Sequence, residues 1–158
     1  MQDELTYIER RKVAEHYYKS LQPILCPALE EEIHFGFSEG FHHILFKNKA
    51  TPRTHKDQIM RFGLLRRAVQ LISISTTIQE YEELTQSVVK KKNKKKINEY
   101  RLIKYWGLIA IIGDRKIKVV LRKIGNGTIQ FWSIIPAWVT NSKRDVKFIT
   151  MKGDPETD

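Results

Sequence analysis

Residues 116–135, KIKVVLRKIGNGTIQFWSII, can fold in few ways. Two runs rich in β-branched and aromatic residues, 117–124 and 128–135, flank Gly125-Asn126-Gly127. Glycine and asparagine supply the positive φ angles that tight turns need, so the stretch predicts a β-hairpin. Side chains alternate along a strand, which puts Ile117, Val119 and Leu121 on one face and Lys116, Lys118, Val120 and Arg122 on the other. One face wants a core, and the other offers positive charge. The rest of the chain is then the means of covering the first and completing the second.

Residues 100–112, YRLIKYWGLIAII, predict a strand that Gly113-Asp114 closes just before the hairpin, giving a three-stranded antiparallel meander. Residues 145–151 offer a fourth strand. Upstream, residues 3–20 predict a helix with Leu5, Ile8, Val13 and Tyr17 as its apolar stripe, and Pro23 and Pro27 end it. Residues 30–37 alternate as a short strand, and Phe41, Ile44 and Leu45 have helical spacing. A polar loop, 48–55, leads to a second long helix from Lys56 to about Ile72, with Ile59, Met60, Leu64, Val69 and Ile72 facing inward. Residues 73–86 fit a strand or a surface helix equally well. Helices first and strands after is the order of an α+β domain, here N-terminal helices packed on a three- to four-stranded antiparallel sheet. A single domain over 1–152 with a disordered tail at 153–158 is expected.

Charge separates along the chain. Residues 1–89 hold 11 Lys and Arg against 12 Asp and Glu, whereas residues 90–158 hold 17 against 6. The strand-rich half is therefore the basic half, which points to an anionic partner, nucleic acid before membrane. Residues 88–98 contain six lysines, including Lys91 and Lys94, and predict a mobile loop. No apolar run approaches the ~20 residues of a membrane span, and the first residues lack a signal-peptide core, so a cytoplasmic location is expected. The single cysteine, Cys26, sits among apolar neighbours and reads as structural.

The five histidines, His16, His34, His42, His43 and His55, lack the spacing of a metal site, and neither a phosphate-binding loop nor a dinucleotide fingerprint is present. What remains suits metal-free phosphodiester chemistry. Cleaving RNA through its own 2′-OH needs proton transfer near neutrality and cations on the phosphorane, which histidine and strand-borne arginine or lysine supply. His42 or His43, Arg53, His55, Arg122, Lys123 and Ser133 are the candidates. Lys118, Lys123, His42, His55, Trp132, Lys91 and Lys94 are candidates for holding nucleic acid.

The segments CPALEEEIHFGFSEGFHHILFK, RTHKDQIMRF and VVLRKIGNGTIQFWSIIP, which span roughly residues 26–136, resemble the barnase–EndoU–colicin E5/D–RelE-like nucleases. The resemblance implies a metal-independent, cofactor-free ribonuclease of the kind used as bacterial and phage toxins, with a cognate antitoxin or immunity protein as a further partner. It would place His43, and less well His42, as the helix histidine, Arg53 as the loop arginine, Arg122 as the strand cation and Ser133 as the late-strand hydroxyl.

One point stays open in the residues themselves. Plain alternation puts Ser133 with Ile129, Phe131 and Ile135. Either a β-bulge re-aims it, or Trp132 and Gln130 face the site instead. Two rival classes use the same surface. A non-catalytic binding module would stack bases on Trp106 or Trp132, and a protein-interaction domain would dock an acidic partner.

Overall fold

The helical layer is anchored by its longest helix, which buries one face against the sheet. The computed structural model describes residues 2–137. In chain order these form α1 (Gln2–Ser20), β1 (Ile24–Cys26), β2 (Glu31–His34), one π-helical turn (Phe37–Phe41), α2 (His42–Leu45), α3 (His55–Ile74), β3 (Glu80–Lys92), β4 (Lys95–Ile112), β5 (Arg115–Ile124) and β6 (Ile129–Ala137). The fold is α+β. The sheet, however, has six strands among the described residues, in the order β1-β2-β6-β5-β4-β3. It is also mixed, because β2 runs parallel to β6 while the other pairs are antiparallel. The predicted meander is its centre, β4-β5-β6. The short strand expected at 30–37 is present as β2, but the expected three to four strands fall short because β2 joins the sheet, because β1 is too brief to show a period, and because β3 lies in the stretches taken as ambiguous and as a loop. The fourth strand expected at 145–151 and the tail at 153–158 lie outside the described residues.

One sheet face carries Ile33, Leu108, Ile117, Val119, Leu121, Ile129, Phe131 and Ile134 into the main core. Against it α3 lays Leu64, Leu65, Ala68, Leu71 and Ile72. Fully burying a large apolar side chain contributes about 1.5–3 kcal/mol, so this face holds the layers together. Of the residues expected inward, Leu64 and Ile72 are buried, whereas Ile59, Met60 and Val69 are half-buried, and Leu65, Ala68 and Leu71 take the remaining inward positions. The stripe expected on α1 is rotated too. Tyr7, Ala14 and Tyr18 face inward, leaving Leu5 58% and Val13 67% exposed. Aromatic bulk with a polar tip wins here. The Tyr7 hydroxyl bonds Gln58 Oε1, and the Tyr18 hydroxyl donates to the Gly36 carbonyl at 2.9 Å. Burial pushes the Tyr18 hydroxyl well above its usual range, so it remains a donor at any working pH.

Tyr18 sits inside an aromatic cluster with Phe35, Phe37, Phe41 and Phe131, ring centroids 5.4–6.3 Å from its own. That cluster seats the π-helical turn directly on β6, and Gly40 makes the approach possible. A Cβ there would lie 2.1 Å from the Tyr18 hydroxyl and 2.8 Å from the Phe131 carbonyl oxygen. The turn in turn delivers α2 to β6.

Between α2 and α3 the loop is pinned rather than free. Asn48 Oδ1 accepts from the Ala50 and Thr51 amides, Phe46 bridges to Pro52, and the Arg53 amide donates to the Leu45 carbonyl at 2.8 Å. Thr54 caps α3, its hydroxyl accepting from the Asp57 amide at 3.2 Å. Thr54→Ala is expected to lower stability by about 1 kcal/mol in urea denaturation, the usual cost of losing such a cap. Thr54→Ser should retain most of it, and a loss just as large in the serine variant would show that the methyl, not the cap, matters.

Apart from Lys94 in the turn, the six-lysine run is paired strand, not loop. β3 and β4 form a hairpin down to Lys92↔Lys95, turning through Asn93 (φ 53°) and Lys94 (φ 62°). Both turn residues are left-handed, as a type I′ turn requires. A lysine run reads as unstructured because it cannot pack a core, but ladder hydrogen bonds ask nothing of the side chains. β5 pairs with β4 only from Ile103 onward, so the ribbon between Thr85↔Leu102 and the turn projects as a two-stranded arm.

Candidate functional site

The sheet face turned away from α3 holds a second, smaller core of Ile103, Tyr105 and Val120, flanked by Leu84, Ile124, Trp132 and Ile135. Register decides what joins it. Val120 pairs with Ser133, but Leu121 pairs with Phe131, so Trp132 is an extra residue on β6. This is a β-bulge, and it has a specific effect. Phe131 and Ile134 both keep to the main core, while Trp132 and Ser133 both turn to the second face. Ser133 therefore shares its face with Val120 and Arg122, not with Phe131.

Arg122 lies opposite Tyr105 on β4 and Gln130 on β6. Its guanidinium sits 4.0 Å over the Trp132 ring centroid and 5.6 Å from that of Tyr105. His43 reaches the same indole from α2, stacked at 4.8 Å with 25° between the planes. Arg53 donates from Nε to the His43 carbonyl at 3.1 Å, and its own carbonyl accepts from Gln58 Nε2 at 2.9 Å. His43, Trp132 and Arg122 thus form one assembly, with Arg53 fixing the backbone that carries the imidazole. His43 is 4% and Ser133 1% exposed, whereas Arg122 and Trp132 are half-buried and form its accessible part.

Of the two adjacent histidines, His43 is the one directed here. His42 stacks on Phe46 at 4.5 Å. His55 opens α3 and stacks on Tyr7 of α1 at 3.7 Å, so its contacts lie in the helical layer. A shallow groove between α1 and α3, lined by Val13, Tyr17 and Arg66, brings none of these residues together. Arg53, expected as a loop cation presented to the ligand, is 4% exposed and acts on His43 through the backbone. Trp132, expected as a platform for a base, already has its ring engaged by His43 and Arg122.

Lys118 is the clearest correction. It shares Arg122's face but is buried, and it pairs with Glu80 Oε2 at 2.5 Å. The pair spans β4 through a gap at Gly107, where a Cβ would lie 3.1 Å from the Glu80 Cβ and 3.3 Å from the Lys118 Cε. A lysine neutralised in this way is not presented to a ligand. Lys123 pairs across the sheet with Lys104, and Lys91 and Lys94 lie on the projecting arm.

Two contributors escaped the sequence. Tyr105 could have been found by counting back from the Gly113-Asp114 turn, since Ile112↔Arg115 fixes Tyr105↔Arg122. Gly107 carries no comparable signal, because its role depends on a partner 27 residues upstream. Among the described residues no three His, Cys, Asp or Glu gather as a metal site, Cys26 is buried and free, and no helix is long and apolar enough to cross a membrane. No protein-family model, curated protein or solved structure matches the chain.

Proposed function

We propose that this protein is a metal-independent ribonuclease of toxin type, of the barnase–EndoU–colicin E5/D–RelE-like kind, that cleaves RNA through the 2′-OH. One observation carries the reading. The bulge at Trp132 turns Ser133 onto the face of Arg122, and α2 brings His43 to the same indole. An imidazole, a guanidinium and a hydroxyl, far apart in the chain, thus share one locale beside a basic sheet.

Each has a task in the transfer. The 2′-oxygen attacks phosphorus, the bond to the 5′-oxygen breaks, and the proton passes from the 2′-OH to the leaving oxygen through His43. Arg122 offsets charge on the phosphorane oxygens, with the Ser133 hydroxyl as a further donor. Trp132 spaces the imidazole from the guanidinium, and Arg53 holds the His43 backbone. Both are positioning residues.

The expected result with purified protein is RNA cleavage that persists in EDTA and leaves 2′,3′-cyclic phosphate or 3′-phosphate ends, with DNA spared. Activity that EDTA abolishes and Mg²⁺ or Zn²⁺ restores would remove the mechanism. The burial of His43 and Ser133 favours, as a second reading, a non-catalytic RNA-binding module using the same basic face. Under that reading RNA is retained intact, and binding depends on Arg122 but not on His43.

A further inference from the structure

The β3–β4 arm has charge features that its own folding does not explain. Lys91 faces Lys96 and Lys92 faces Lys95 in direct cross-strand register, and at the base of the arm Lys104 faces Lys123. Like charges placed directly opposite destabilise a strand pair. Two such pairs in the ribbon and a third between β4 and β5 at its base mean that the isolated protein holds repulsion that a polyanion would relieve. The acids are segregated: Glu80, Glu82 and Glu83 lie at the proximal end of β3, and the lysines lie at the tip.

The distribution across the arm's two faces narrows the class of polyanion. Alternation puts Lys91 and Lys96 on one face and Lys92 and Lys95 on the other. A single strand laid along the ribbon would meet one face. A ribbon tip bearing lysines on both faces matches a groove with a phosphate wall on each side. The major groove of an RNA duplex is too deep and narrow for a ribbon to enter and read bases, but phosphates flank its mouth on both sides, where a tip with lysines on both faces can span them. Lys95 lies ten residues from Tyr105 along β4, on the order of 34 Å from Arg122. Arg101 lies between the two ends, on the same face of β4 as Tyr105.

We propose that the arm docks an RNA stem, so that the substrate is a structured RNA whose duplex lies on the order of 30 Å from the scissile phosphate. This rests on the ribonuclease reading for the identity of the nucleic acid and goes beyond it in assigning substrate shape. Docking is through phosphate, so it is indifferent to stem sequence.

The test uses the full chain and a variant with Lys91→Gln, Lys92→Gln, Lys95→Gln and Lys96→Gln. Far-UV circular dichroism shows whether the arm persists. The probes are a hairpin RNA with a single-stranded flank, made uncleavable by 2′-deoxy sugars in the flank, the flank alone, and a DNA duplex of the stem sequence. The unsubstituted protein should bind the hairpin RNA tightest. In the variant the log–log salt slope on the hairpin should fall by about 3–4, at about 0.9 per lost phosphate contact, with little change on the flank. An unchanged slope on the hairpin, an equal loss on the flank, or tighter binding of the DNA duplex would each overturn the proposal. Cleavage of an all-ribose flank is measured separately and should be the same in both proteins. If no RNA is cleaved while lysine-dependent stem docking persists, docking stands and the ribonuclease reading fails.

Discussion

Arg122→Ala and His43→Asn should each lower RNA turnover by about 10²–10⁴-fold, the range for one electrostatic donor or one proton-transfer group. The two losses should combine less than additively, because both groups act on one transition state. Asparagine is the better replacement at 43, since His43 is buried against Trp132 and alanine would leave a cavity there. His43 also carries packing, so each variant needs its own melting curve beside its rate. His42→Ala is the internal control, because that ring stacks on Phe46. A wild-type rate for His43→Asn together with a crippled His42→Ala would show that the wrong imidazole has been assigned.

Gly40→Ala should be the most damaging single methyl in the described fold. The added carbon would meet the Phe131 carbonyl oxygen at 2.8 Å and Phe131 Cδ1 at 2.6 Å, and backbone yields less readily than the tip of a side chain. It would also displace the Tyr18 hydroxyl from Gly36. Overpacking and a lost buried hydrogen bond together should cost about 3 kcal/mol in urea or thermal unfolding. Gly63→Ala is the matching control. A Cβ there meets nothing within 4 Å, so replacing a mid-helix glycine of α3 should stabilise by up to about 1 kcal/mol. Equal effects at the two glycines would mean that the π-helical turn does not sit on β6 as described.

What could be read in advance follows from how far each signal reaches. The meander was legible because its determinants are local, namely Gly125-Asn126-Gly127, Gly113-Asp114 and the alternation of Ile117, Val119 and Leu121. The two long helices were legible in extent, and α3 in part of its inward face, Leu64 and Ile72, but α1 was not legible in phase. On α1 the aliphatic count favoured Leu5, Ile8 and Val13, whereas Tyr7 and Tyr18 take the inward face through hydroxyl partners on other segments. The parallel β2–β6 pair joins Ile33 to Ile129, and nothing near either residue announces it. For the site, His43, Arg122 and Ser133 could be named, but their shared locale depends on one inserted residue, Trp132. Two-residue alternation alone cannot reveal an insertion. Lys118 misled because an exposed and an ion-paired lysine look identical in a strand pattern.

The buried Lys118–Glu80 pair also bears on the arm. A ribbon tip reading KKKNKKK is nearly repetitive, so a two-residue slip of β3 along β4 would present almost the same side chains to almost the same partners. Nothing at the tip forbids such slippage. The base does so in one direction. A carboxylate must sit opposite Gly107 to reach Lys118: a one-pleat slip that brings Ile78 there would leave a buried lysine charge alone, a fault that typically costs about 3–5 kcal/mol, whereas the opposite slip would bring up Glu82. The ion pair works as a one-way stop at the proximal end of a sequence that cannot count for itself, resisting slippage of the distal lysines in one direction.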